Sequence, residues 1–140
     1  MAIKMRYLYY SGKKKMAAIG EAIKAKYELQ INSVDVIPPA YSCDKERVVI
    51  LAVSCKGGEP SDKLRLFCKE LTKLRAQNTC LLMDGDQKSA DAIKGYVTEA
   101  GSNFVSDIKF INGGGLFNSK PSEAELNDIF AWIDGIIASL

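Results

Sequence analysis

The sequence predicts a three-layer, doubly wound α/β domain: five parallel strands in the order 2-1-3-4-5, with helices on both faces. Three observations carry this. Apolar, strand-like runs alternate with segments of helical spacing along all 140 residues. The third run, VVILAVSC (48–55), is almost continuously apolar, as a parallel strand covered on both faces requires. The last segment has a helix-start signal, Pro121 with the capping box Ser122-x-x-Glu125, ahead of an apolar stripe.

The elements follow in order. Strand-like runs are IKMRYLYY (3–10), QINSVDVI (30–37), VVILAVSC (48–55), TCLLMDG (79–85) and FVSDIKFI (104–111). The second and fifth alternate more than the third, which suits places nearer the sheet edges. The first helix shows Met16, Ile19, Ile23 and Tyr27 on one face. The second shows Leu64, Phe67, Cys68, Leu71 and Leu74. The third, around 88–101, shows Ala90, Ile93, Val97 and Ala100, with Gly101 as its stop. The fourth shows Leu126, Ile129, Phe130, Ile133, Ile136 and Ile137. PPAYSCDKE (38–46) is too short and polar for a full crossover helix, and Pro38-Pro39 break any pattern. No linker or repeat divides the chain, so residues 1–140 read as one domain. Ile50, Leu51, Val53, Leu81, Leu82, Ile129, Trp132 and Ile133 are expected in its core.

Composition narrows the function. Nineteen basic and 17 acidic residues give a formal charge of +2, unlike a general nucleic-acid binder. No run reaches the length of a membrane span, and charges interrupt the N-terminal apolar run, so neither a membrane segment nor a signal peptide is expected. There is no histidine, which removes Ser-His-Asp triads, Cys-His pairs and imidazole metal sites. Cys43, Cys55, Cys68 and Cys80 lack paired spacing, so they read as free thiols of a cytoplasmic protein. Val49, Ser61, Leu74 and Asp86 stand six residues after them, so the phosphatase-like Cys-x5-Arg spacing is also missing. Cys68 and Cys80 are expected to be buried, and Cys55 to be the most accessible thiol.

Ligands of such sheets bind beyond the carboxyl ends of the strands, near the switch point. Here that edge comprises residues 10–16, 54–61 and 84–89. No G-x-x-x-x-G-K-[ST] is present, and GGGLFN (113–118) follows the last strand rather than the first, where it reads as a turn. A phosphoreceiver domain shares the architecture but needs carboxylates where this chain has Tyr10-Ser11 and Ser54-Cys55.

The chain resembles the flavodoxin family. That family's first loop is a Ser or Thr, any residue, then Thr-Gly-Asn-Thr before a helix with Ile at i and i+4. Here Ser11 takes the first place and Ile19 and Ile23 the helix places, with Lys13, Lys14, Lys15 and Met16 at the Thr-Gly-Asn-Thr positions. GGEPSDKLRLFCKEL (57–71) and GGGLFNSKPSEAEL (113–126) resemble the family's later loops. The resemblance implies an FMN-binding electron-transfer protein with a redox protein partner, a carrier rather than a catalyst. It implies a cofactor site from Ser11, Gly12, Lys13, Lys14, Lys15 and Met16 at the phosphate end. Ser54, Cys55, Lys56, Gly57, Gly58, Asp84, Gly85 and Asp86 would lie at the ring end.

Two departures set an alternative beside it. Three lysines replace the small and hydroxyl residues that let backbone N–H groups reach a phosphate, although lysine itself pairs with phosphate. No aromatic lies in 54–61 or 84–89, so ring stacking would fall to Tyr10, Tyr41 or Phe117. The alternative is a degenerate flavodoxin-like module without flavin, serving as an anion-binding or protein-interaction domain.

Overall fold

The computed structural model describes residues 4–10, 14–27, 31–36 (backbone only), 45–55, 57–58, 60–111 and 120–140. Its elements are β1 (Met5–Tyr10), α1 (Lys14–Lys26), β2 (Ile31–Val36), β3 (Glu46–Cys55), α2 (Asp62–Cys68), β4 (Ala76–Gly85), α3 (Gln87–Ala100), β5 (Asn103–Phe104), β6 (Lys109–Phe110) and α4 (Glu123–Ser139). All strand pairs are parallel, in the expected order β2-β1-β3-β4-β5, with β6 also paired to β4.

The fifth position of the sheet is split between two short pieces. The partner offset rises from 25 residues at Thr79–Phe104 to 27 at Leu82–Lys109, so the edge segment carries two extra residues. Val105 and Ile111 donate N–H bonds to Thr79 and Met83, while the intervening backbone leaves the ladder. Trp132 of α4 secures it there by donating its Nε1–H to the Asp107 carbonyl at 2.8 Å. Such a bulge interrupts an edge that would otherwise offer a row of free backbone groups.

Alternation along β3 builds both cores. Val48, Ile50 and Ala52 meet Met16, Ile19 and Ile23 of α1 and Ile129, Trp132, Ile133 and Ile136 of α4. Val49, Leu51 and Val53 meet Leu64 and Cys68 of α2 and Ala90, Ile93 and Val97 of α3. All eight residues expected in the core are buried.

Boundaries near the amino ends of β3 and β4 differ from the sequence expectation, and β3 begins at Glu46 rather than 48. The apolar stripe of the second helix extends to Leu74, but α2 ends at Cys68 and Leu74 is exposed. β4 begins at Ala76 rather than 79. Lys45 and Glu46 donate N–H bonds to the carbonyls of Leu74 (3.1 Å) and Arg75 (3.0 Å), so these residues extend the β3–β4 pairing instead of the helix.

At the amino edge of the sheet an ion pair ties β1 to β3. Arg6 Nε lies 3.1 Å from Glu46 Oε1, and the Glu46 side chain is fully buried. Lys4 Nζ approaches the same oxygen at 3.8 Å. Removing one member of a buried pair strands the other charge, so Glu46→Ala is expected to cost about 3–5 kcal/mol in urea unfolding. Glu46→Gln, which keeps a hydrogen-bond acceptor, should cost less. Equal losses for the two would contradict a role for the charge.

Candidate functional site

The carboxyl ends of β1, β3 and β4 bring three of the predicted loops together. Ser11, Gly12, Lys13 and Lys56 lie outside the described residues, as do Cys43, Tyr41 and the 113–118 turn with Phe117. The remaining predicted site residues are all placed.

At the start of α1 the basic run divides. Lys14 is exposed. Lys15 is only 1% exposed, and its ammonium lies 2.7 Å from Glu125 Oε2 of α4. Met16 points into the core, and its carbonyl accepts the Tyr7 hydroxyl at 2.9 Å. Burial and the neighbouring Tyr9 push the Tyr7 pKa well above its ordinary value, so that hydroxyl stays a donor.

Glu125 is the third residue of the capping box anticipated at α4. Ser122 Oγ accepts the Glu125 N–H at 3.1 Å, and Glu125 Oε1 accepts the Ser122 N–H at 3.1 Å. One oxygen therefore caps α4 while the other holds Lys15. The Lys15 hydrogen bond holds the Glu125 carboxyl below its ordinary range against the opposing effect of burial, with smaller help from Ser122 and from the Lys15 charge. An anion at the 11–16 turn would have to share Lys15 with this carboxylate.

The loops after β3 and β4 are joined to each other. Ser54 and Asp84 are ladder partners, and the Ser54 hydroxyl donates to Asp84 Oδ2 at 2.6 Å. Gly57 donates its N–H to Asp86 Oδ2 at 3.2 Å, and Gly58 donates to Ser89 Oγ at 2.9 Å. Both glycines have positive φ, 92° and 99°, which favours glycine there. Asp86 also N-caps α3, accepting the Ser89 N–H on Oδ1 at 2.8 Å. Gly85 is required by contact: a Cβ there would lie 1.8 Å from the Cys55 carbonyl oxygen. Cys55 is half-buried, whereas Cys68 and Cys80 are buried and their thiols are pushed up by that burial, Cys68 to about 12. Tyr10 reaches across the edge, and the Ser61 hydroxyl that caps α2 donates to its phenol oxygen.

Ser61, Ser89 and Glu125 were not among the residues singled out for the site. Ser122-x-x-Glu125 was legible as a cap, but nothing local marks the second oxygen of Glu125 as a partner for a lysine 110 residues away.

The Gly57 and Gly58 N–H donors are engaged by Asp86 and Ser89, so the loops after β3 and β4 are tied to each other. A Cβ at Gly58 would meet the Lys88 stem. The described residues contain no group of three or more His, Cys, Asp and Glu side chains arranged for a metal.

No protein-family model matches the chain, and no curated protein is recognisably similar to it in sequence. Solved structures do match. A short-chain flavodoxin associated with a PDU bacterial microcompartment is 12% identical, with a TM-score of 0.69 and 98% of each chain covered. A flavodoxin point mutant from Fusobacterium nucleatum, bound to flavin mononucleotide, is 13% identical, with a TM-score of 0.63 and 95% of each chain covered. The fold is therefore flavodoxin-like.

The loop tie has a pH signature. Hydrogen bonds from the Ser89 side chain first, then from the Ser89 and Gly57 backbone, hold the Asp86 carboxyl down at about 2, from an ordinary 3.8. A depressed carboxylate stabilises the fold above its ordinary pKa, and that contribution is lost as pH falls through the folded value. The Gly57 and Ser89 amide resonances should therefore shift together between about pH 4 and pH 2. In Asp86→Asn that titration should vanish. Separately, Gly85→Ala should destabilise the protein by about 3 kcal/mol or more, because a carbonyl rather than a flexible side chain blocks the methyl.

Proposed function

We propose that this chain is a flavodoxin-like module whose ligand edge serves its own structure, and that it works as an anion-binding or protein-interaction domain rather than as a flavin carrier. The observation that carries this is the pair of hydrogen bonds, Gly57 to Asp86 and Gly58 to Ser89, that closes the loops after β3 and β4 onto each other. Lys15 supports it, because its charge is neutralised inside the protein. Anion binding at this edge then falls to Lys14, Lys13 and the turn that precedes α1.

A second reading is FMN binding with electron transfer to a redox protein partner. The FMN-bound neighbour favours it, at the level of fold. Under that reading Asp86 and Ser89 exchange their glycine partners for the ring, and the basic turn takes the phosphate.

Titration with FMN, riboflavin and inorganic phosphate separates the two. The module reading expects a colourless preparation, no saturable FMN binding into the high micromolar range, and phosphate binding that weakens with salt. A yellow preparation absorbing at about 450 nm, with FMN held much more tightly than riboflavin, would overturn it in favour of the carrier. In that event Lys13, Lys14 and Lys15 replaced together by Ala should weaken FMN about tenfold or more.

A further inference from the structure

We propose that the amino edge of the sheet carries a second ligand site, for a small organic anion that joins a phosphate or carboxylate to an apolar group. It lies at the opposite end of the strands from the loops described above and stands independently of what those loops bind.

A cavity of about 430 Å³ opens there, lined by Lys45, Glu46, Lys73, Leu74 and Gln77. That is space for a ligand of metabolite size. Lys45 and Lys73 are exposed on its rim, and neither is ion-paired among the described residues. Glu46 is the acid of the lining, but Arg6 and Lys4 already answer its charge. The mouth of the cavity therefore presents positive potential to an entering group.

Three buried side-chain polar atoms have no hydrogen-bond partner among the described residues: Arg6 Nη1, Glu46 Oε2 and Arg47 Nε. All three belong to the amino ends of β1 and β3, and two of them are guanidinium donors. Native structures leave few such atoms, which marks this edge as incompletely satisfied by its own side chains.

The backbone is strained at the same place. Lys45 has φ of 56°, the one non-glycine with positive φ among the described residues. Its N–H and that of Glu46 are pinned to the carbonyls of Leu74 and Arg75, which holds the turn in this form. Glycine would suit that conformation better. A lysine kept in a left-handed turn, with its ammonium beside a cavity, is the kind of strain that accompanies a binding role. Leu74 adds the apolar element. It is 71% exposed, more than any other large apolar residue described, and it forms part of the cavity wall. A ligand with a ring or short alkyl group next to its anion would cover it.

Calorimetric titration with phenyl phosphate tests the site, with inorganic phosphate and phenol as comparison probes. Phenyl phosphate should bind saturably, weaken as salt rises, and bind about fivefold or more tighter than inorganic phosphate, a gap Leu74→Ala should close. Lys45→Gly combined with Lys73→Ala should weaken it about tenfold or more, while Lys94→Ala on α3 leaves it unchanged. Lys45→Gly alone should raise the melting temperature by about 2–4 °C, because glycine accepts the left-handed backbone, so lost binding cannot be lost folding. No saturation at tens of millimolar, or an unchanged affinity in the double variant, would overturn the site. Equal affinity for phenyl phosphate and inorganic phosphate would overturn the ligand class. Titrating the same double variant with FMN reports on the carboxyl edge alone, so either reading can fail without the other.

Discussion

Every residue of β3 from Val48 to Val53 is buried, and the architecture depends on that constraint. A strand apolar on both sides must be covered on both sides. With β1 and β4 as its hydrogen-bonded neighbours, the chain has to return over the sheet faces between strands. Even-numbered side chains then find α1 and α4, and odd-numbered ones find α2 and α3. The same arrangement gathers the ends of β1, β3 and β4 at one edge and their beginnings at the other. Both edges hold charged groups because the middle of the sheet has no room for them.

At the carboxyl edge two carboxylates each hold two things at once, and a third joins adjacent strands. Glu125 caps α4 with one oxygen and holds Lys15 of α1 with the other. Asp86 caps α3 with one oxygen and binds the loop after β3 with the other. Asp84 takes the Ser54 hydroxyl between adjacent strands. Helix starts are natural anion sites. At α3 and α4 the protein's own carboxylates occupy that role, and at α1 Lys15 is drawn inward. These groups hold the described part of this edge together. The chain's likeness to flavodoxins is one of architecture, at 12–13% identity.

The amino edge has the opposite character. Its buried acid is neutralised by Arg6 and Lys4, while Lys45 and Lys73 face outward around a cavity. Its β3–β4 pairing runs past the expected strand starts to Lys45 and Leu74. That extension ends α2 early, leaves Leu74 in solvent, and places Lys45 in the left-handed turn.

The sequence by itself determined the two-faced core, the α4 capping box and the Gly101 stop, because each rests on local period or on residues a few positions apart, and the strand order, because alternating elements with right-handed crossovers leave few arrangements. Trp132 was legible as core, although its hydrogen bond to Asp107 was not. Tertiary structure decided where α2 stops, since a helical stripe cannot show that a strand 30 residues upstream will claim the Leu74 carbonyl. It decided the split of the fifth strand, because two extra residues in FVSDIKFI are visible only against the register of β4. It decided the fate of the basic turn as well. Lys14 and Lys15 are equivalent in the sequence, but only one faces α4 once the helices pack. A buried ammonium must find its counter-charge there, and Glu125 supplies it.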